Sequence, residues 1–318
     1  MAWVSLRDAV VSTTIERLSQ NIVAFNAASN GGIVLSNPGN IGDFVDAVMF
    51  GAMETGARRD RTTGAAAAAP TEVPQVNNIK ITVNGRFGPY DWNLQDPQWQ
   101  GMADSATVDA LATRLSDYIM LDQLNTGAGA AVGAIANADD TFNDLSAVGV
   151  GPVATYVNLN NTFALLGDAS MQVACICCNG AVYHQLVGDA LGGSKELFDY
   201  QGIRVTNFMG KIFVIFDAPA FTVAAAALDY NTLILNEGGV MIEEQGAPAV
   251  AMPELTGENI TRQFQGDYSY QLGIKGMAYG LTANPTDAEL FDGANWAATY
   301  SNAKAGPGAL LRTNQTTA

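Results

Sequence analysis

The chain has 318 residues, room for two average domains or one elaborated one, and carries 31 Asp and Glu against 15 Lys and Arg, a net charge of −16. Only 14% of residues are charged while 48% are hydrophobic, so a sizeable core is available and wholesale disorder is excluded. The acidic balance argues against nonspecific wrapping of DNA or RNA, which draws its affinity from Lys and Arg replacing phosphate counterions. Low charge density instead leaves broad uncharged surface, the pattern of a protein that meets copies of itself.

In chain order, Leu6, Val10, Ile15, Leu18 and Ile22 recur at helical spacing until Asn30, Gly31 and Gly32 break the pattern. After Asn37, Pro38 and Gly39, residues Phe44, Val45, Val48 and Met49 fit one side of a second short helix. Neither stripe closes a core alone, so residues 1–55 read as an N-terminal arm lying on other elements. The first residues lack a basic leader before an apolar stretch, and secretory export is not expected.

From residue 56 to 100 the composition changes. Arg58, Arg59 and Arg61 precede an alanine run over 65–69, then Pro70 and Pro74. Residues 79–83 alternate as a strand and lead into Asn84-Gly85, a tight-turn signal. The segment reads as a long hairpin-bearing excursion without its own core, expected to rest on a neighbour.

Val108, Leu111, Leu115 and Ile119 mark the clearest helix, predicted over 104–125 with Gly127 and Gly129 as its stop. Beyond it the pattern is mixed: helices over 159–166 and 181–191, and strands over 172–178, 203–205, 211–216, 232–235, 240–243 and 268–279. The most apolar stretch, 208–228, is interrupted by Lys211, Asp217 and Pro219 and does not fit a membrane span.

Residues with chemical potential are few. The glycine run 127–133 follows a helix, whereas a dinucleotide loop follows a strand and opens a helix. Cys175, Cys177 and Cys178 are the only cysteines; alternation places the first two on one strand face and Cys178 on the other, as reduced buried thiols. The sole histidine, His184, lies six residues after Cys178, and that pair is what a small-molecule enzyme would use. Glu243, Glu244 and Glu289 are the carboxylates available for acid–base work, but Glu243 and Glu244 face opposite ways on a strand, and all three read as a solvated edge. No catalytic, cofactor or metal residue is assigned.

Charge is unevenly placed. Residues 1–100 carry seven basic and nine acidic groups, net −2, and residues 101–318 eight and 22, net −14. A basic arm tip and an acidic body are complementary patches on copies of one molecule. Arg58, Arg59, Arg61, Lys80 and Arg86 are the candidate intersubunit contacts.

The order of elements, arm, hairpin excursion, long helix, α/β part and returning strands, resembles the HK97-type major capsid proteins of tailed bacteriophages, podovirus-like or related. The texture of Gly273-Ile274-Lys275-Gly276-Met277-Ala278-Tyr279-Gly280, of residues 283–290 and of Asn295-Trp296 is similar to the closing segment of such coat proteins. The resemblance implies an α+β, HK97-like capsid fold: an N-terminal arm (1–55), an extended E-loop hairpin (56–100), a peripheral domain with the long spine helix (101–150 and 254–318) and a mixed α/β axial domain (151–253). It implies a non-enzymatic, cofactor-free subunit that assembles with itself into hexamers and pentamers of an icosahedral head. Scaffolding, portal and decoration proteins are the further partners implied, with double-stranded DNA enclosed without sequence-specific binding and no membrane contact. Assembly is expected in the host cytoplasm, and the virion shell is the final location. Some members crosslink a Lys to an Asn; Lys80 lies in the right excursion, but no matching Asn is fixed. An encapsulin-like shell around cargo protein shares the fold, and the Cys178–His184 enzyme is the third reading.

Overall fold

The computed structural model describes residues 3–36, 42–50, 75–93, 104–138, 140–146, 153–189, 194–200, 203–208, 211–224, 228–280, 283–300 and 302–314. Helix α1 (Trp3–Ala28) buries Val10, Thr14, Leu18, Ile22 and Phe25 along one stripe. It ends where Asn30 and Gly31 take positive φ, 55° and 71°. The Asn26 side chain then donates to the Leu35 carbonyl at 2.6 Å and accepts from the Leu35 amide at 3.0 Å, pinning β1 (Ile33–Ser36) against the helix.

β2 (Phe44–Phe50) and β3 (Gln75–Asn93) are antiparallel, in register from Phe44 opposite Ile81 to Phe50 opposite Gln75. Two expectations fail here. The second helix over Phe44–Met49 is a strand, because its apolar spacing fits either element and pairing with β3 decides. Asn84-Gly85 is not a turn, since β3 passes straight through it. The hairpin is β2–β3 itself, and its connection, residues 51–74 with Arg58, Arg59 and Arg61, lies outside the described residues.

α2 (Asp104–Asn137) is 34 residues, ~51 Å at 1.5 Å per residue. Its glycines do not stop it. A side chain on Gly127 would sit 2.9 Å from Ile242, one on Gly129 2.2 Å from the Phe291 ring, and one on Gly133 2.2 Å from the Phe291 carbonyl oxygen. These glycines let two other parts of the chain touch the helix backbone.

After α2 come β4 (Phe142–Asp144), α3 (Tyr156–Leu165), β5 (Val173–Cys178), α4 (Gly180–Asp189), β6 (Ser194–Tyr200), β7 (Ile203–Phe208), β8 (Lys211–Ile215), β9 (Thr222–Ala224) and β10 (Leu228–Asn236). The chain continues with β11 (Val240–Glu244), β12 (Ala249–Ala251), β13 (Glu254–Thr256), β14 (Ile260–Ile274), β15 (Met277–Tyr279), α5 (Asp287–Phe291), β16 (Trp296–Ala298) and β17 (Gly308–Asn314).

Among the described residues the strands form two mixed sheets. The nine-stranded sheet runs β1-β11-β14-β3-β15-β16, with β12 and β13 added on β14 and β2 on β3; the eight-stranded sheet runs β4-β17-β10-β5-β8-β7-β6, with β9 on β10. β11, grouped on sequence with residues 151–253, hydrogen bonds into the first sheet, and β17, grouped with 254–318, into the second. The larger core joins α1 and α2 to the apolar face of the first sheet and one face of the second; the smaller packs α3 and α4 on the second sheet's other face. As alternation requires, Cys175 and Cys177 belong to the first core, with sulfurs 3.9 Å apart, and Cys178 to the second.

Candidate assembly surfaces

The long β3–β14 ribbon is the feature that reaches furthest along one direction of pairing, from Leu272 opposite Ile81 to Thr261 opposite Asn93. Glycine and aromatic residues alternate across it. Gly85 lies opposite Tyr268, whose ring would be 2.3 Å from any Cβ there; Gly266 lies opposite Phe87, whose ring would be 2.0 Å away. Each ring covers the glycine facing it, which is why Asn84-Gly85 stays extended.

On the helix side of the ribbon, Asp122 of α2 accepts hydrogen bonds from the Tyr268 hydroxyl at 2.7 Å and the Tyr270 hydroxyl at 3.3 Å. Burial raises the Asp122 pKa above the usual carboxylate value, the Tyr268 bond opposes this, and the Asp287 charge adds to it. Tyr118 stands edge-on to Phe87 and Tyr268 at 6.5 and 6.3 Å. Glu244 faces the same helix, accepts from Gln123 Nε2 at 3.2 Å, and has its pKa raised by burial.

The other face of the sheet is polar. Lys80 reaches from β3 across β14 to Glu243 on β11, Nζ to Oε1 2.5 Å. It passes over Gly273, where a Cβ would come within 2.7 Å of the Lys80 side chain. Beside it the Gly42 carbonyl accepts from Thr82 Oγ1 at 2.7 Å and Gln245 Nε2 at 3.1 Å. β11 is an interior strand, so Glu243 and Glu244 are not a solvated edge, although they do point to opposite faces. Glu289 is not on a strand edge either: it forms a capping box with Thr286 at the start of α5, and the bonds from the Thr286 backbone and hydroxyl lower its pKa.

Of the intersubunit candidates, Arg58, Arg59 and Arg61 lie outside the described residues. Lys80 is 7% exposed and paired within its own chain, and Arg86 is exposed on β3 opposite Asp267. Past Arg86 the ribbon carries Tyr90, 56% exposed, and Ile260, 51% exposed. Nearby, Arg262 is held by Glu254.

Cys178 and His184 are not set up as a nucleophile and its base. Cys178 is fully buried, its thiol pushed up to about 12 first by burial and then by Asp217, whereas His184 is exposed on α4. Such a thiol holds its proton at neutral pH and is a poor nucleophile. Sequence reasoning missed the Asp122 cluster; the signal was Tyr268 and Tyr270 two apart in a strand, with an acidic residue on the apolar stripe of α2.

A two-sheet subunit braced by one long helix, with a strand ribbon built from distant parts of the chain, is the HK97-like capsid fold. The solved structures agree. A chain from the cyanophage Pam1 capsid asymmetric unit is 10% identical with a TM-score of 0.54, covering 87% of this chain and 86% of that one. The capsid of Ralstonia phage GP4 is 11% identical with a TM-score of 0.51, over 91% and 88%. A structure from Microbacterium phage Oxtober96 is 13% identical with a TM-score of 0.50, over 90% of each chain. No curated protein matches the chain.

The particular family follows from the sequence match: the chain belongs to the major capsid protein 13-like family, whose model covers residues 5–310. It is a phage major capsid protein, the subunit of an icosahedral head shell.

Proposed function

We propose that this subunit closes into hexamers and pentamers around double-stranded DNA, with residues 56–100 acting as an E-loop laid across the adjacent copy. In this division 1–55 is the N-terminal arm, 151–253 the axial domain, and 101–150 with 254–318 the peripheral domain, except that β2 belongs with the hairpin, β11 with the first sheet and β17 with the second. Its role is mechanical rather than enzymatic. The observation that carries the reading is the β2–β3 hairpin, which runs toward a 24-residue connection bearing Arg58, Arg59 and Arg61, in a chain whose residues 101–318 have net charge −14. Ring closure needs two different complementary patches per subunit, and a basic loop with an acidic body supplies them. Arg86 is a further basic residue, exposed on β3. Lys80 fastens β3 to β11 through Glu243.

The acidic chain holds DNA weakly by charge, which lets a packaged genome slide. Scaffolding, portal and decoration proteins are the other partners of such a head, and assembly takes place in the host cytoplasm without a membrane. Among the described residues no helix is long and apolar enough to cross one.

Electron microscopy of the purified protein tests the reading: capsomers, sheets or closed shells are expected, and a monodisperse monomer at high concentration overturns it. Deleting residues 58–74 should leave the circular dichroism spectrum of the folded chain intact while suppressing assembly followed by light scattering. Unchanged assembly would remove the loop from the intersubunit contact.

A further inference from the structure

We infer that the outer side of α3 and the turn after it form a contact surface for a second copy of this chain, an inference that rests on the shell reading above. α3 buries Leu159, Thr162 and Phe163 against the second sheet. Its other side exposes Val157, Ala164 and Leu165 around Asn160 and Asn161, and Met171 follows on the 3-10 turn at Gly167–Gln172. Val157 is 67%, Leu165 42% and Met171 87% exposed. Three of the ten large apolar side chains exposed among the described residues therefore fall within 157–171. A solitary protein keeps such clusters small, and Met is enriched in the centres of protein interfaces.

Charge selects the partner. Between residues 151 and 188 the sequence has one residue among Asp, Glu, Lys and Arg, Asp168, and its carboxylate lies 2.5 Å from Lys304 Nζ. A groove of about 360 Å³ lined by Asp168, Gln172, Asn302 and Lys304 borders the patch. Copies of a −16 chain repel one another at most approaches. They meet with least opposition where local charge cancels, and here that place also offers apolar area to bury. A basic partner, by contrast, gains nothing from a neutral patch when the rest of the body is acidic.

Substituting Met171→Cys gives a selective probe, because Cys175, Cys177 and Cys178 are at most 1% exposed. The new thiol should react with a maleimide at least tenfold more slowly in assembled particles than in dissociated subunits; equal rates overturn the surface. The double variant Leu165→Asp with Met171→Asp should melt at the wild-type temperature but lose at least tenfold in assembly yield by light scattering. Wild-type yield from that variant also overturns it. A wild-type chain that never assembles would sink the shell reading and this surface together, whereas an assembling wild type with either negative result sinks the surface alone.

Discussion

β5 and β3 are both strands at the centre of their sheets, yet they solve opposite problems. Every residue of β5 is buried, because α3 and α4 cover one face and α2 with its neighbours the other. β3 alternates: Ile81, Val83 and Phe87 face the helices, Lys80 and Thr82 face a polar layer, and towards its end Tyr90 and Asp91 are exposed. A strand sandwiched on both faces draws stability from apolar area throughout its length. A ribbon that leaves its own core depends on cross-strand pairs and on the Lys80–Glu243 ion pair.

The sharpest way to break this comparison is to truncate one residue in each strand. Ile176→Ala in β5 should cost about 3–4 kcal/mol in urea unfolding, whereas Tyr90→Ala should stay within about 0.5 kcal/mol for the isolated subunit. Equal costs would mean the ribbon end is packed in the single chain. Next in size, Lys80→Met leaves Glu243 without its cation in a largely dry layer, and we expect a loss of about 2 kcal/mol, below the fully buried range because Glu243 keeps some solvent. The double variant Lys80→Met with Glu243→Leu should recover most of that loss, and failure to recover would assign the effect to packing of the lysine stem.

Smaller still, Thr286→Ala removes the side-chain acceptor that starts α5 and should cost about 1 kcal/mol by thermal melting. The smallest effect concerns pH. Burial raises the folded-state pKa of Asp122, so its proton is held more tightly in the folded than in the unfolded chain. Its contribution is fully present below the ordinary carboxylate pKa and fades as pH rises through the raised folded value. Asp122→Asn should flatten that part of the stability–pH curve measured by denaturant midpoints. An unchanged slope would assign the dependence to Glu244, which burial shifts in the same direction.

Much of the α/β order was legible in the sequence, because continuous apolar runs such as Val173–Cys178 and amphipathic stripes such as that of α2 record burial directly. The cysteine faces and the acidic charge of the body were legible for the same reason. The glycines were not. Gly127, Gly129 and Gly133 look like a helix stop, and Asn84-Gly85 looks like a turn, because local chemistry records only what a glycine permits. Which permission is used depends on Phe291, Ile242 and Tyr268, residues more than a hundred positions away in the chain.

By itself, then, the sequence determined the element types wherever periodicity was strong, the two-sided burial of β5, and the self-associating character of a weakly charged acidic chain. The tertiary structure decided that Phe44–Phe50 is a strand, that α2 runs on to Asn137, and that Lys80, Glu243 and Asp122 are internal bonding groups instead of surface charges. The division has one physical cause. Periodic burial is written into neighbouring residues, whereas strand pairing, close backbone approach and buried ion pairs are agreements between residues that only the fold brings together.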